Sequence, residues 1–171
     1  MVAPFTESHP SRDGFTTENF ARTVLDGALR DRIRLLSNVI HIYTQIVYQQ
    51  PSPAARRPAG DQDNLRDTLV TMRWNVAEMD DIIRGGGSTL PVRYTSAQYI
   101  ASVAGALRRH AAIIQQCAAG LQADPLLASV RLAALNGQTV GEMAGDILGR
   151  MTEVLRLIGL AAYYAERLRA D

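Results

Sequence analysis

The sequence predicts an all-α protein, an elongated up-down four-helix bundle. In four separate segments, apolar residues recur at alternating spacings of 3 and 4, the pattern of helices that bury one face against each other. Proline- and glycine-containing stretches separate these segments, and Ser, Thr or Asp stands where a helix would begin. We expect the four helices at about 17–50, 63–84, 96–122 and 139–169, with a short extra helix at about 125–135.

The first helix has the widest apolar face. Its seam of buried positions is spaced 4, 3, 4, 3, 4 and consists of Leu29, Ile33, Leu36, Ile40, Tyr43 and Val47. A neighbouring stripe widens the apolar face and consists of Leu35, Val39, Ile42 and Ile46. Thr16 or Thr17 is the expected N-cap. Pro51, Pro53 and Pro58 end the helix because proline lacks a backbone donor, and the stretch that holds them is expected to be an exposed loop.

The second and third helices repeat this spacing. The second begins at Asp61 or Asp63 as cap, ends at the glycines Gly85–Gly87, and has the seam Leu65, Leu69, Met72, Val76, Met79 and Ile83. The third opens at Ser96. Its seam is Ile100, Val103, Leu107, His110, Ile114, Cys117 and Leu121. A single histidine thus interrupts an otherwise apolar seam.

The last helix has the clearest start. Thr139 and Glu142 form a capping box, in which each side chain satisfies a free backbone donor. Its seam is Val140, Ala144, Ile147, Met151, Val154, Ile158, Ala161, Ala165 and Leu168. Before it, Asp124 and Pro125 start the short extra helix, which ends at Asn136 and Gly137. Residues 1–15 are expected to be a flexible tail, and residues 16–171 a single domain.

Composition argues against several classes of protein. Eighteen basic and seventeen acidic residues leave a net charge of +1, so no overall field draws the protein to nucleic acid or to a membrane. All the basic residues are Arg, which either a GC-rich genome or selection for Arg chemistry explains. The single cysteine excludes an internal disulfide and favours a reducing, cytoplasmic location. We expect no signal peptide and no membrane insertion, because the longest apolar run, 157–165, is too short to span a bilayer.

We expect no catalytic residue, metal ligand set or cofactor, since the chain contains no Glu-x-x-His pair, phosphate loop or nucleophile motif. His110 and Cys117 are the candidate polar core site. His110 would serve as a ligand, a base or a pH switch, but a group that fixes helix register is the more common role of a polar residue in a seam.

Two further sets of residues attract attention. The candidate contacts for nucleic acid or another anion are Arg30, Arg32, Arg34, Arg56, Arg57, Arg108 and Arg109. Solvated faces with local ion pairs are the favoured alternative for them. Small residues that would let two helices approach closely are Gly141, Gly145 and Gly149, and Ala97, Ala101 and Gly105. We expect them to form an internal contact in preference to an oligomer interface.

Three functions remain open from sequence. The favoured one is a non-enzymatic interaction or assembly protein, whose outer surface and loops bind a protein partner or a second copy of the chain. The second is a nucleic-acid-binding protein, such as a coat or ribonucleoprotein small subunit, which uses Arg without reading base sequence. The third is a ligand-binding or catalytic bundle with a core pocket near His110.

Overall fold

The computed structural model describes residues 23–49, 59–89 and 96–170 and confirms an all-α helical bundle. Its long helices are α1 (Arg30–Gln49), α2 (Ala59–Thr89), α3 (Ser96–Ala123) and α5 (Val140–Ala170). A π-helical turn, Val24–Leu29, leads directly into α1. Between α3 and α5 lie a short helix, α4 (Pro125–Ala128), and two short strands, β1 (Arg131–Leu132) and β2 (Gln138–Thr139). The predicted tail, the Thr16 or Thr17 cap and the Pro51–Pro58 loop lie outside the described residues.

The four long helices pack as a ring in the order α1, α2, α3, α5, with α1 and α3 on opposite corners. Neighbouring helices are antiparallel. Near the end of α1, Tyr48 meets Arg66 near the start of α2, and near the end of α3 the Gln122 side chain contacts the Gly141 carbonyl at the start of α5. The up-down arrangement predicted from the sequence is therefore present. The contact between α3 and α5 is the most extensive of the four.

The predicted seams form most of the core, which residues of the π-helical turn and of the connector complete. Every seam residue of α1 and of α2 is buried, as is every seam residue of α5 up to Ala165, with Leu168 half-buried. Burying one Leu or Ile side chain contributes about 1.5–3 kcal/mol, so these residues supply most of the driving force for folding. Because the seams run the length of each helix, the core extends through the whole bundle.

The seam of α3 differs from the prediction at two positions. His110 and Cys117 are only half-buried, and the fully buried positions beside them are Ala111 and Ala118. Together with Ala97 and Ala104, these form a column of buried alanines every seven residues. The sequence prediction followed the larger side chains and therefore assigned His110 and Cys117 to the core, each one position before the residue that is buried. Because alanine side chains are small, they allow the axes of neighbouring helices to approach closely, in line with the extensive contact between α3 and α5.

Both ends of α2 lie outside the predicted limits. The helix begins at Ala59, so Asp61 and Asp63 lie within its first turns and neither is its cap. It also continues through Gly85–Gly87 to Thr89, and the predicted stop at the glycines is wrong. Glycine disfavours a helix by about 1 kcal/mol relative to Ala because it loses more backbone freedom, but helical angles remain open to it.

The connector before α5 is mostly not helical. Asp124 caps α4 as predicted, its Oδ1 accepting hydrogen bonds from the amides of Leu126 and Leu127, but α4 ends at Ala128 instead of near 135. A hairpin follows in which β1 and β2 pair antiparallel, joined through a 3-10 turn, Ala133–Leu135. Asn136 and Gly137 both have positive φ, 56° and 81°. The Asn-Gly pair therefore follows the 3-10 turn and reverses the chain between two strands, and it does not end the predicted α-helix.

Candidate functional site

His110 is tied to the neighbouring helix. Its Nδ1 lies 2.8 Å from Oδ1 of Asn75 on α2, and the Asn75 amide group in turn donates to the Thr71 carbonyl at 2.8 Å. Since the Asn75 nitrogen is used as a donor, its oxygen accepts and His110 Nδ1 carries the hydrogen. Asn75 is only 6% exposed. This geometry fits a polar contact that fixes the register of α2 against α3.

Cys117 lies one heptad beyond His110 and packs against the core. Burial raises the pKa of its thiol, so the thiolate that would act as nucleophile or metal ligand is disfavoured. Arg108 and Arg109, whose charge would lower the pKa of a nearby thiol, are exposed and about two turns away along α3. Cys117 therefore has the environment of a small apolar core residue.

The candidate arginines are divided between opposite corners of the bundle. Arg32 and Arg34 are exposed and Arg30 half-buried on α1, whereas Arg108 and Arg109 are exposed on α3. Because α1 and α3 are diagonal, these side chains do not converge on one surface. Arg32 also lies near Glu153, whose pKa is lowered mainly by the hydrogen bond from Arg156 and to a smaller extent by the charge of Arg32. Arg56 and Arg57 lie outside the described residues.

The two sets of small residues do not meet. In the antiparallel pair of α3 and α5, Ala97, Ala101 and Gly105 lie at one end, and Gly141 and Gly145 at the other. A Cβ on Gly141 would lie 3.1 Å from Ala128 of the connector, and one on Gly145 would lie 3.0 Å from the Gln122 side-chain nitrogen. A Cβ on Gly149 would have no neighbour within 4 Å. Gly141 and Gly145 thus give room to the connector and to Gln122.

A polar contact between α1 and α5 was not anticipated from the sequence. The Tyr43 hydroxyl donates to Asp146 Oδ2 at 2.8 Å, and Arg150 Nε lies 3.2 Å from the other carboxylate oxygen. Tyr43 is 8% exposed. Burial, and then the Asp146 carboxylate, raise the pKa of Tyr43 to about 12, because both disfavour a phenolate at this position. The network holds two helices together and places no reactive group in an open pocket.

Most remaining charged contacts are local. Arg84 pairs with Asp80 and Arg156 with Glu153, each within one helix and with the arginine side chain exposed. Glu142 accepts from the Thr139 amide at 2.8 Å and the Glu142 amide donates to the Thr139 hydroxyl at 3.1 Å, which is the predicted capping box. The Thr139 amide and hydroxyl both donate to Glu142 Oε1, and these two hydrogen bonds lower the pKa of Glu142. The described residues contain no group of three or more His, Cys, Asp or Glu that could hold a metal ion.

Two surface depressions are formed by described residues. An open, shallow one lies at the connector, between Gln122, Ser129 and Glu142. The other is a crevice of about 40 Å³ between α1 and α5, lined by Arg32, Leu35, Leu36, Arg150 and Glu153. Neither has the enclosed apolar shape and converging polar groups of a small-molecule site.

Large apolar side chains project from the outer faces of the bundle. Trp74 of α2 is 69% exposed, and on α1 Ile42 is 54% and Leu35 43% exposed. Leu35 and Ile42 thus widen the apolar face of α1 without joining its buried part, whereas Val39 between them packs partly on the core. In a ring of four helices each helix has two neighbours, and a second stripe on its flank remains at the surface.

Comparison with known proteins gives no relative. No protein-family model, no curated protein and no solved structure matches the chain. Within the described residues, no helix is both long enough and apolar enough to span a membrane.

Proposed function

We propose that the protein is a non-enzymatic interaction or assembly protein, which uses the outer faces of its helical bundle to bind another polypeptide or a second copy of itself. The observation that carries this proposal is the exposure of Trp74, Ile42 and Leu35 in the middle of long helices. Trp anchors binding sites more often than most residues do, and an apolar stripe on a rigid helix is a common form of protein-binding surface.

His110 and Tyr43 support the same proposal because each hydrogen-bonds to a side chain of a neighbouring helix. His110 is bonded to Asn75, and Tyr43 to Asp146. Burial raises the pKa of the Cys117 thiol and so disfavours the thiolate, which is the nucleophilic form. A free, unpaired thiol at Cys117 also agrees with the expected reducing, cytoplasmic location, which remains part of this proposal.

The two other functions have less support. Nucleic-acid binding would need a continuous basic surface, whereas the described candidate arginines lie on opposite corners of the bundle. A catalytic bundle would need a pocket beside His110, whose Nδ1 is bonded to Asn75.

Light scattering over a concentration series, together with photo-crosslinking from a reactive residue placed at position 42 or 74, tests the proposal. We expect either an average mass that rises above that of the monomer or a specific cross-linked protein. A chain that stays monomeric at every concentration and forms no cross-link from either position would refute it. Binding to single-stranded RNA that weakens steeply with salt would favour the nucleic-acid alternative instead.

A further inference from the structure

The flank of α1 that faces α5 contains an uncharged apolar surface. Residues 35–49 include no Arg, Lys, Asp or Glu. Along this segment the stripe Leu35, Val39, Ile42 and Ile46 runs beside the buried seam, with Leu35 and Ile42 exposed and Val39 and Ile46 half-buried. The absence of charge and the presence of branched apolar residues are typical of the centre of a protein interface.

Charged residues of α5 border this stripe and balance one another. Arg150 and Glu153 line the crevice beside Leu35. Arg150 is paired with Asp146, and Glu153 with Arg156. The α5 side of the border therefore has two positive and two negative groups, and Arg32 of α1 adds a third positive group at the crevice. A polar rim around an apolar strip is the usual arrangement of a specific interface.

We propose that this flank binds a second copy of the chain, with the two α1 helices antiparallel across a two-fold axis. The stripe is spaced 4, 3, 4, a sequence that reads the same in both directions. An antiparallel copy centred between Val39 and Ile42 thus places Ile42 level with Val39 of the second copy, and Leu35 level with its Ile46. Such an interface is self-complementary, as a two-fold axis requires. This inference rests on the proposed function and names the partner.

The register also avoids like charges. On the same axis, Arg32 of one copy lies level with Gln49 of the other, and both side chains are exposed. Amide oxygens accept hydrogen bonds from guanidinium groups, so Gln49 is a suitable neighbour for Arg32. The crevice beside Leu35 lies at the level of Ile46 of the second copy and offers space for the end of its side chain.

The flank is large enough for a dimer of moderate affinity. α1 is about 30 Å long, and two adjacent helices are about 20 Å wide. A face of about 600 Å² from each copy buries about 1,200 Å² in total, the lower end of the range for stable specific interfaces. We therefore expect a dissociation constant on the order of micromolar.

The test compares two exposed positions on different helices. Ile42→Arg and Trp74→Arg each place a guanidinium where the folded monomer has an exposed apolar side chain, and circular dichroism checks that both variants keep the helicity of the wild type. Analytical ultracentrifugation from about 1 µM to about 300 µM should show dimers for the wild type and for Trp74→Arg. Ile42→Arg should raise the dissociation constant at least about 100-fold, because two like charges meet near the axis.

A second measurement tests the register without relying on disruption. In a Cys117→Ser background, Val39→Cys and Ile42→Cys chains carrying different tags are mixed and oxidised. The disulfide between position 39 of one copy and position 42 of the other should form in larger amount than the 39–39 or the 42–42 disulfide. In the proposed register only the mixed pair is level, and a disulfide requires Cα atoms within about 7 Å. Trp74→Cys in the same background should form no intermolecular disulfide, because position 74 lies outside the proposed interface.

The outcomes separate this inference from the proposed function. A dimer that survives Ile42→Arg but dissociates with Trp74→Arg overturns the assigned surface and leaves self-association standing. A monomeric wild type that cross-links to a different protein overturns the second copy as partner but supports an interaction protein. A monomeric wild type without any cross-link overturns both.

Discussion

The hydrogen bond from Tyr43 to Asp146 gives the sharpest test of how the bundle is held together. Tyr43→Phe removes the hydroxyl and keeps the ring that packs in the core. A hydrogen bond to a charged group contributes about 1.5–3 kcal/mol. The Asp146 side chain is 33% exposed and retains Arg150, so water replaces part of the lost interaction. We expect the free energy of unfolding at pH 7 to fall by about 1–2 kcal/mol.

The effect should depend on pH in a defined direction. The pKa of Tyr43 is raised from 10.0 to about 12 in the folded protein, so the folded state holds this proton more tightly than the unfolded state. The stabilisation is complete below pH 10 and is lost as the pH rises towards 12. At pH 11 the loss is about 1.4 kcal/mol, one pKa unit of linkage. The difference between wild type and Tyr43→Phe should therefore nearly vanish at pH 11.

Urea unfolding at pH 7, 9 and 11, followed by circular dichroism, measures these differences. Tyr48→Phe is the matched control, because Tyr48 is exposed and its ring contact with Arg66, 5.0 Å from guanidinium carbon to ring centroid, survives the change. We expect it to change stability by less than about 0.5 kcal/mol. A Tyr43→Phe effect no larger than that of the control, or one that stays constant between pH 7 and 11, would refute the reasoning.

Three other predictions concern residues whose environments differ. Gly149→Ala should stabilise the protein by about 1 kcal/mol, because Ala favours the helix and the added Cβ meets no neighbour. Gly141→Ala should destabilise it by about 1 kcal/mol, because the added Cβ crowds Ala128 of the connector. Urea unfolding measures both changes. Cys117 should react with a thiol reagent at pH 8 at least about 10-fold more slowly in the folded than in the unfolded chain, since burial raises its pKa. Glu142→Gln should lower stability at neutral pH. That deficit should disappear in acid, because the stabilisation by a carboxylate with a lowered pKa is lost as the pH falls through its folded value.

Each of these predictions has a result that contradicts it. Equal effects of the two glycine substitutions would mean that the connector yields to the added methyl group. Rapid modification of Cys117 without loss of helicity would place its thiol at the surface. A Glu142→Gln deficit that persists at pH 2, or none at pH 7, would show that the capping box contributes nothing through its charge.

The sequence predicts the long helices well because one physical cause, burial of a stripe, determines their pattern. Leucine, isoleucine, valine and methionine mark the seams of α1, α2 and α5 without ambiguity. In α3, alanines take the buried positions beside His110 and Cys117. Alanine is common on both the buried and the exposed faces of helices, so it does not mark the core. The spacing alone could not decide whether His110 or the adjacent Ala111 faces the core. In the structure Ala111 is buried and His110 lies at the edge of the seam.

The errors at helix ends and in the connector have local causes. Three glycines can end a helix or merely weaken it, and the surroundings decide which, as the continuation of α2 to Thr89 illustrates. Asn136-Gly137 is a turn signal in either context. Only the pairing of Arg131 with Thr139 and of Leu132 with Gln138 makes it a hairpin.

The polar contacts between helices required information that the sequence pattern lacks. Tyr43 and Asp146 are about a hundred residues apart, and their meeting depends on the relative height of α1 and α5. Asn75 was within reach of sequence reasoning, since a polar residue beside Met72 and Val76 lies on the border of a seam and needs a partner when buried. Its particular partner, His110, follows only from the packing of α2 on α3.

The exposed stripe on α1 allows the contribution of Ile42 to folding to be measured apart from its proposed contribution to binding. Ile42 is exposed in the folded monomer, so Ile42→Arg should leave the free energy of unfolding unchanged at protein concentrations well below the dissociation constant. Above that concentration, binding stabilises only the wild type, by about 1.4 kcal/mol at a tenfold excess over the dissociation constant. Thermal unfolding at increasing protein concentration should therefore raise the midpoint of the wild type and not that of Ile42→Arg. If Ile42→Arg were already less stable at the lowest concentration, the stripe would belong to the fold of the monomer and its role as a binding surface would fail.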